Sequence, residues 1–151
     1  MASPKFRTRF DPAYGEAVQV FPNIQRITAP NKSAFTFHGT NTYILGDKQV
    51  AVIDPGPARD DHLEHLKREL DGREVTHIVV THTHIDHSPL ATPLKAHTGA
   101  KTYAEGPHRD SRTLHLGEIN SLEASGDKDF MPDLFVKHGD IIEGEGWSLE
   151  A

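Results

Sequence analysis

The chain has 151 residues, a formal net charge of −6 and 36% hydrophobic residues, which is typical of one soluble globular domain with its own core. No run of roughly 18 or more apolar residues occurs and the first residues lack the apolar stretch of a secretory signal, so we expect neither a membrane span nor a leader. The absence of cysteine excludes disulfides and fits a reducing cytoplasm, and the acidic balance argues against a nucleic-acid surface.

The first third of the sequence predicts an arm followed by strands. Residues 1–17 show no sustained period and predict an extended arm, which leaves residues 18–151 for the domain. Residues 18–28 alternate loosely between apolar and polar side chains and predict an edge strand that Pro22 interrupts. The next two strands are predicted to form a hairpin through a glycine-containing turn and occupy residues 40–45 and 49–53.

A helix and a buried strand are predicted next. Over residues 60–70 the apolar spacing becomes helical, at Leu63, Leu66 and Leu70. His62 and His65 lie among charged neighbours on this helix, so we interpret both as solvated surface residues. Residues 76–81 form a β-branched, mostly apolar run that predicts a strand, and the intervening helix predicts that it is parallel to the strand before it.

The C-terminal half predicts shorter elements. Residues 94–97 predict a short helix, in which either Thr92 is the cap and Pro93 the first helical residue, or the first turn is distorted. Residues 105–133 contain many turn-forming residues and predict a long loop. Three further strands are predicted at residues 101–104, 134–136 and 147–149.

The residues that follow the predicted strand 76–81 have the clearest chemical pattern. They read His-Thr-His-Ile-Asp-His at residues 82–87. His82 and His84 are two residues apart, so both point to the same side of an extended segment. Imidazole and carboxylate groups suit zinc, manganese or iron, and the motif has the strand-then-turn context that it requires. We therefore predict a metal site formed by His82, His84, Asp86 and His87.

This motif resembles the signature of the metallo-β-lactamase-fold hydrolases. Segments that agree are Gly-Thr-Asn-Thr-Tyr-Ile-Leu-Gly at residues 39–46, Val-Ala-Val-Ile-Asp-Pro-Gly at residues 50–56 and Thr-Gly-Ala at residues 98–100. Together with residues 132–144, they are most similar to the branch that includes β-lactamase-like protein 2, beside the glyoxalase II group. The resemblance begins near Val18 and implies an α/β fold, a metallo-β-lactamase-like αββα sandwich, of which this chain covers the N-terminal half.

The resemblance also implies roles for individual residues. His82 and His84 would bind one divalent metal ion, and Asp86 and His87 a second. The ions would most often be Zn²⁺, with Mn²⁺ or Fe²⁺ as alternatives, and would activate a water molecule. Asp86 would also act in catalysis by orienting a proton of that water. Asp54 would either form a hydrogen bond to the motif loop from outside the ligand set or form the turn.

The remaining ligands of the family have no counterpart in this sequence. In the family they are a histidine in a Pro-Gly-His-Thr setting, a bridging aspartate and a final histidine, all downstream of the last predicted strand. We therefore expect the chain to be the N-terminal portion of a longer protein, truncated before these ligands at Ala151. We also expect the inner face of its sheet to be uncovered, which promotes association, and its metal binding to be weak.

The function that the resemblance implies is hydrolysis of an ester, a thioester or a related small-molecule substrate by a metal-activated water. The alternatives are an endoribonuclease of the same superfamily, a one-iron redox enzyme like the persulfide dioxygenases, and a non-catalytic truncated half-domain. Nucleic acid is thus a possible but not favoured partner, and a homo-oligomer is a further possibility. We expect a cytoplasmic location and no membrane partner.

Overall fold

The computed structural model describes residues 9–109, 115–118 and 125–151. Parts of the predicted arm and of the predicted long loop, namely residues 1–8, 110–114 and 119–124, lie outside these described residues. The strands are β1 (Val18–Phe21), β2 (Ile24–Thr28), β3 (Asn41–Gly46), β4 (Gln49–Ile53), β5 (Glu74–Val79), β6 (Lys101–Ala104), β7 (Leu134–Phe135), β8 (Ile141–Gly144) and β9 (Trp147–Glu150). The helices are α1 (Asp60–Leu70) and α2 (Ala91–Thr98). No helix in the described part of the chain is long and apolar enough to cross a membrane.

One mixed sheet contains β1 to β7, and their spatial order is the order of the sequence. Tight turns join β1 to β2 and β3 to β4, so β1 to β4 pair antiparallel. The helices α1 and α2 connect β4 to β5 and β5 to β6, and these pairs are parallel because a helical crossover returns the chain in the same direction. The predicted hairpin and the predicted parallel pairing are therefore both confirmed.

The alternation of side chains along β4 divides the core into two layers. Val50 and Val52 point to the helices, whereas Ala51 and Ile53 point to the opposite face. The helix-side layer includes the buried residues Ile27, Ile44, Leu66, Leu70, Ile78, Leu90 and Leu94. The opposite layer is smaller and includes Leu45, Val136, Ile142 and Trp147. Both faces of the sheet thus carry apolar packing.

The prediction that His62 is a surface residue is wrong. His62 is fully buried, and its Nε2 lies 3.0 Å from the hydroxyl of Thr42. The buried residues of α1 are His62, Leu66 and Leu70, spaced four apart, so the histidine lies on the core face of the helix despite its charged sequence neighbours. His65 is half-buried, against Gly15 of the arm.

The helix α2 begins earlier than the sequence suggests. The helix predicted over residues 94–97 is present, but it starts at Ala91, so the alternative in which Thr92 is the cap and Pro93 the first helical residue is wrong. Pro93 is its third residue, where the missing N–H costs nothing because the first four amides of a helix have no intrahelical acceptor. The helix ends at Gly99, whose φ of 76° is the left-handed conformation that glycine adopts readily.

The C-terminal hairpin β8–β9 lies on the face of the sheet opposite the helices. β8 was not predicted from the sequence. It pairs with β9, the strand predicted at residues 147–149. Trp147 is buried, its Nε1 donates a hydrogen bond to the carbonyl of Gln49 (3.3 Å), and its ring meets that of His77 edge to face at 5.1 Å. The inner face is therefore partly covered, in contrast to the expectation of an open face. A cavity of about 450 Å³, lined in part by Ile53, Val79, Ile142 and Leu149, remains beneath the hairpin.

Replacement of Trp147 by alanine should remove the main anchor of this hairpin. Truncation of a large buried aromatic residue costs about 3–5 kcal/mol, so we expect a loss of this size in the free energy of unfolding, measured by urea denaturation. Ile141→Ala is the matched control, because Ile141 lies on the same hairpin but is 53% exposed. It should cost less than about 1 kcal/mol. A Trp147→Ala variant as stable as the control would show that the hairpin contributes little to the core.

Stability should also depend on pH through His62. Burial lowers the pKa of His62 to about 4, from an ordinary value of 6.5. Above pH 6.5 the imidazole is neutral in both states and its contribution to stability is complete. As the pH falls from 6.5 towards 4, the unfolded chain binds a proton that the folded chain excludes, so about 3 kcal/mol of stability is lost across this window.

The measurement is urea unfolding of the unmodified chain and of His62→Gln at a series of pH values between 6.5 and 4. Glutamine is neutral throughout, so the variant should lose less stability as the pH falls. His97→Gln, at an exposed histidine of α2, is the control and should follow the unmodified chain. If all three proteins lose the same stability over this range, His62 is not the group responsible.

Candidate metal centre

The motif loop, residues 82–87, lies at the edge of the sheet where the parallel strands β4 and β5 both end. Asp54 directly follows β4, and its backbone N–H donates to the carbonyl of Val79 on β5 (2.8 Å). The carboxyl ends of adjacent parallel strands meet at one edge, which is why two segments about thirty residues apart in sequence come together here. Asp54 has a φ of 51°, a left-handed conformation that aspartate tolerates better than most residues.

The carboxylate of Asp54 holds the motif loop. One oxygen accepts the backbone N–H of Thr81 (2.8 Å), and the other accepts the Thr81 hydroxyl (2.7 Å) and Nδ1 of His87 (2.9 Å). Burial alone would raise the pKa of Asp54, but the hydrogen bonds from His87 and Thr81 outweigh burial, and the pKa is lowered. The group is therefore an anion at neutral pH. This geometry matches the hydrogen-bonding role expected for Asp54, in place of a purely turn-forming one.

His87 lies between two carboxylates. Its Nδ1 contacts Asp54, and its Nε2 lies 3.2 Å from Oδ2 of Asp86. Burial lowers the pKa of His87, but the hydrogen bond and charge of Asp54 together with the charge of Asp86 outweigh this effect, and the pKa is raised. Asp86 is held in turn by Thr40, whose hydroxyl donates to the same Oδ2 at 2.7 Å.

His82 and His84 complete the group. The ring of His82 lies 4.8 Å from that of His84 and 4.0 Å from that of His87, centroid to centroid. Nδ1 of His82 lies 3.0 Å from the hydroxyl of Thr81. Burial and the neighbouring His87 lower the pKa of His82, which favours the neutral imidazole that a metal ion requires. All three histidines of the motif therefore lie close together.

The four predicted ligands line one cavity of about 570 Å³. Its other walls come from three further segments of the chain. The large apolar side chains of Phe35, on one of these segments, and of Ile85, on the motif loop, are both exposed to solvent. The remaining lining residues are Asn31, Ser33, Thr36, Pro57 and Ser125. The four motif side chains thus line the same cavity, whereas their convergence on a metal ion and their role as ligands stay predictions.

The tightest group of possible ligand atoms is not the one predicted from the sequence. It comprises Asp54, His82 and His87, whose donor atoms all lie within 4.8 Å of one another. Both oxygens of Asp54 already accept hydrogen bonds from Thr81 and His87, so we interpret Asp54 as the residue that orients His87. His84 and Asp86 lie at the margin of this group, against His82 and His87 respectively.

Sequence reasoning missed the residues that support the loop from other segments. Thr40 was predicted only as the first residue of a strand, within a segment that also carries the resemblance, and it contacts Asp86 across 46 positions of sequence. Asp127 donates its N–H to the carbonyl of Thr83 (2.7 Å) and accepts the hydroxyl of Ser88 (2.6 Å). No spacing rule links such distant positions.

Curated relatives support a hydrolase family. A family model described as the metallo-beta-lactamase superfamily matches residues 35–151. An atrochrysone carboxyl ACP thioesterase of Passalora fulva is 35% identical over 120 residues, which cover 76% of this chain and 36% of that protein. A protein of the same name from Pseudocercospora fijiensis is 28% identical over 113 residues, covering 71% and 34%. A lactamase-like protein of Pestalotiopsis microspora is 30% identical over 120 residues, covering 76% and 38%. The chain thus spans little more than a third of the length of these relatives.

Solved structures show the fold. A beta-lactamase domain protein from Burkholderia ambifaria has a TM-score of 0.66 at 18% identity, covering 93% of this chain and 48% of that one. A metallo-beta-lactamase from Cronobacter sakazakii has a TM-score of 0.64 at 18% identity, covering 89% and 52%. The predicted αββα sandwich, with this chain forming about half of it, is confirmed. The match over residues 35–151 and the fold together show that the chain belongs to the metallo-β-lactamase superfamily.

Proposed function

We propose that this chain carries one half of the active site of a metal-dependent hydrolase that cleaves acyl thioesters. The observation that carries the proposal is the cluster of His82, His84, Asp86 and His87 around one cavity, with Asp54 behind it. The names of the curated relatives support hydrolysis in general, and those named as thioesterases support this class of bond.

The residues present fit a divalent metal ion, preferably zinc. Imidazole nitrogens and a carboxylate are the ligands that zinc, manganese and iron accept. Nδ1 of His87 is engaged by Asp54 and Nδ1 of His82 lies beside Thr81, so Nε2 is the nitrogen that each ring would offer to a metal ion, in His87 in place of its contact with Asp86. A carboxylate that accepts a hydrogen bond from the far nitrogen of a metal-binding histidine is a common arrangement at zinc sites. We propose two ions, with His82 and His84 serving one and Asp86 and His87 the other.

Bound divalent ions would supply a water of lowered pKa and would polarise the substrate carbonyl. The residues of this chain position the reacting groups. Asp86, held by Thr40, presents a carboxylate oxygen beside Nε2 of His87, where it can accept a proton of the attacking water. Asp54 holds His87 and Thr81 at fixed positions relative to the end of β4, so the motif loop does not have to reorganise during the reaction.

The lining of the cavity favours an acyl substrate over a polynucleotide. Phe35 and Ile85 present apolar surface beside the motif side chains. No lysine or arginine occurs among the described residues that line the cavity, whereas nucleic-acid-binding surfaces typically place such side chains along the phosphate backbone. We therefore propose a small-molecule or carrier-bound acyl thioester as the substrate, and the endoribonuclease alternative has less support. The lack of cysteine supports the cytoplasm as the location.

Zinc dependence can be tested on the 151-residue chain. Each proposed ion receives two protein ligands here, fewer than the three typical of catalytic zinc, so we expect weak zinc binding and slow hydrolysis of a short-chain acyl thioester. Metal content after dialysis and thioester turnover with and without excess chelator are the measurements. Turnover that survives the chelator would contradict metal dependence, and faster cleavage of single-stranded RNA would contradict the substrate class. Two tightly bound zinc ions with rapid turnover in a monomer would contradict the expectation of weak binding.

Asp54→Asn should weaken zinc binding without removing any proposed ligand. Asparagine tolerates the positive φ at this position, so the change mainly removes the charge and one acceptor oxygen. Loss of such a supporting group typically costs about 10–100-fold in metal affinity. Asp71→Asn, at an exposed aspartate after α1, is the matched control and should leave the zinc Kd unchanged. Equal zinc Kd values for the two variants would show that Asp54 does not orient the site.

A further inference from the structure

A buried histidine lies behind the candidate metal centre and is not used by the proposed mechanism. Nε2 of His62 lies 3.0 Å from the hydroxyl oxygen of Thr42, and that hydroxyl lies 2.7 Å from the backbone carbonyl of Asp54, to which it donates. His62 and Thr42 are both fully buried. The three groups form a chain of hydrogen bonds from the core face of α1, through β3, to the end of β4.

The directions of these hydrogen bonds follow from the chemistry of a hydroxyl group. A threonine hydroxyl has one proton, and the Asp54 carbonyl can only accept, so Thr42 gives its proton to Asp54. The same oxygen can then only accept from His62, so we infer that the neutral ring carries its proton on Nε2. Burial favours this neutral form.

The chain of hydrogen bonds ends on a backbone that needs support. Asp54 adopts a φ of 51°, which side-chain-bearing residues rarely adopt. The orientation of its peptide groups decides where its carboxylate points, and that carboxylate holds Thr81 and His87. A fixed carbonyl at Asp54 therefore contributes to the position of His87, a proposed metal ligand one hydrogen bond away from this residue.

The ring of His62 is also linked to the candidate metal centre by its packing against Gly56. Gly56 has a φ of 103°, and a Cβ at this position would lie 2.8–2.9 Å from the imidazole, so the ring packs directly on the backbone. The N–H of Gly56 donates to the carbonyl of His87 (2.9 Å), and the carbonyl of Gly56 accepts the N–H of Leu90 (3.2 Å). One imidazole thus supports both the residue that orients His87 and the backbone of His87 itself.

We propose that His62 and Thr42 are positioning residues of the metal centre, which they hold in its binding geometry through Asp54 and Gly56. The inference rests on the proposed function only in that the positioned group is a metal ligand. The hydrogen bonds themselves, and the conformation of His87 that they maintain, exist in the metal-free chain.

The test compares Thr42→Val with Thr42→Ser. Valine keeps the shape but removes the hydroxyl, whereas serine retains it. The control is Thr102→Val, the same change at a buried threonine of β6 whose hydroxyl is hydrogen-bonded to Asp133 (3.0 Å) and which does not line the cavity. The first measurement is the Nδ1 proton of His87 in proton–nitrogen NMR spectra of the metal-free chain, and the second is the zinc Kd.

Thr42→Val should lose the His87 Nδ1 signal and raise the zinc Kd by about 10–100-fold, as expected for loss of a supporting group. Thr42→Ser should keep the signal and restore the Kd to within about threefold. Thr102→Val should lower the melting temperature but change neither the His87 Nδ1 signal nor the zinc Kd. If Thr42→Val does not fold, His62→Met replaces it, because methionine has similar length but no N–H donor, and His62→Gln, which keeps a donor, serves as its rescue.

The outcomes separate the two proposals. If Thr42→Val or His62→Met keeps the His87 signal and the zinc Kd of the unmodified chain, the positioning role is overturned. The same holds if Thr102→Val disturbs His87 equally, because the effect would then be general destabilisation. If the unmodified chain binds no zinc while Thr42→Val still loses the His87 signal, the positioning of His87 stands and the zinc site proposed for this chain fails.

Discussion

The carboxylate of Asp54 is the contact on which the candidate site depends. It joins the end of β4 to Thr81, two residues after β5, and to His87, the last residue of the motif loop, with three hydrogen bonds between 2.7 and 2.9 Å. A buried carboxylate is stable only when such donors replace its hydration, and here the motif itself provides them. The loop and the strand end therefore stabilise each other, and neither arrangement would persist alone.

The residues of the motif loop, 82–87, belong to neither core cluster, and the loop is held by polar contacts. The apolar packing of the sheet against α1 and α2 fixes the strand ends, and the polar network then selects one conformation for the loop. His62 belongs to both the apolar core and the polar network, because it lies on the core face of α1 and forms a hydrogen bond with Thr42. Core and candidate site are consequently not independent, because the same imidazole contacts both.

The parts of the fold that the sequence predicted are those with strong local patterns. The bounds of α1 and the hairpin β3–β4 follow from helical and alternating periodicity, and the metal motif follows from six consecutive residues. His62 was wrongly predicted to be exposed because its sequence neighbours are charged. It is buried because the helical period places it on the same face of α1 as Leu66 and Leu70. The strand β8 is short and ends in glycine, and the contact between Thr40 and Asp86 joins distant segments, so no local pattern could predict either of them.

The order of the strands in the large sheet has a consequence for how the chain forms. Because β1 to β7 lie side by side in the order in which they are synthesised, each new strand finds its partner already present at the growing edge. Apart from the long connection between β6 and β7, such sequential pairing keeps the loops that must close short, which reduces their entropic cost and favours rapid folding. The sheet can therefore assemble strand by strand during translation. Trp147 covers part of the opposite face only after the hairpin β8–β9 has been synthesised.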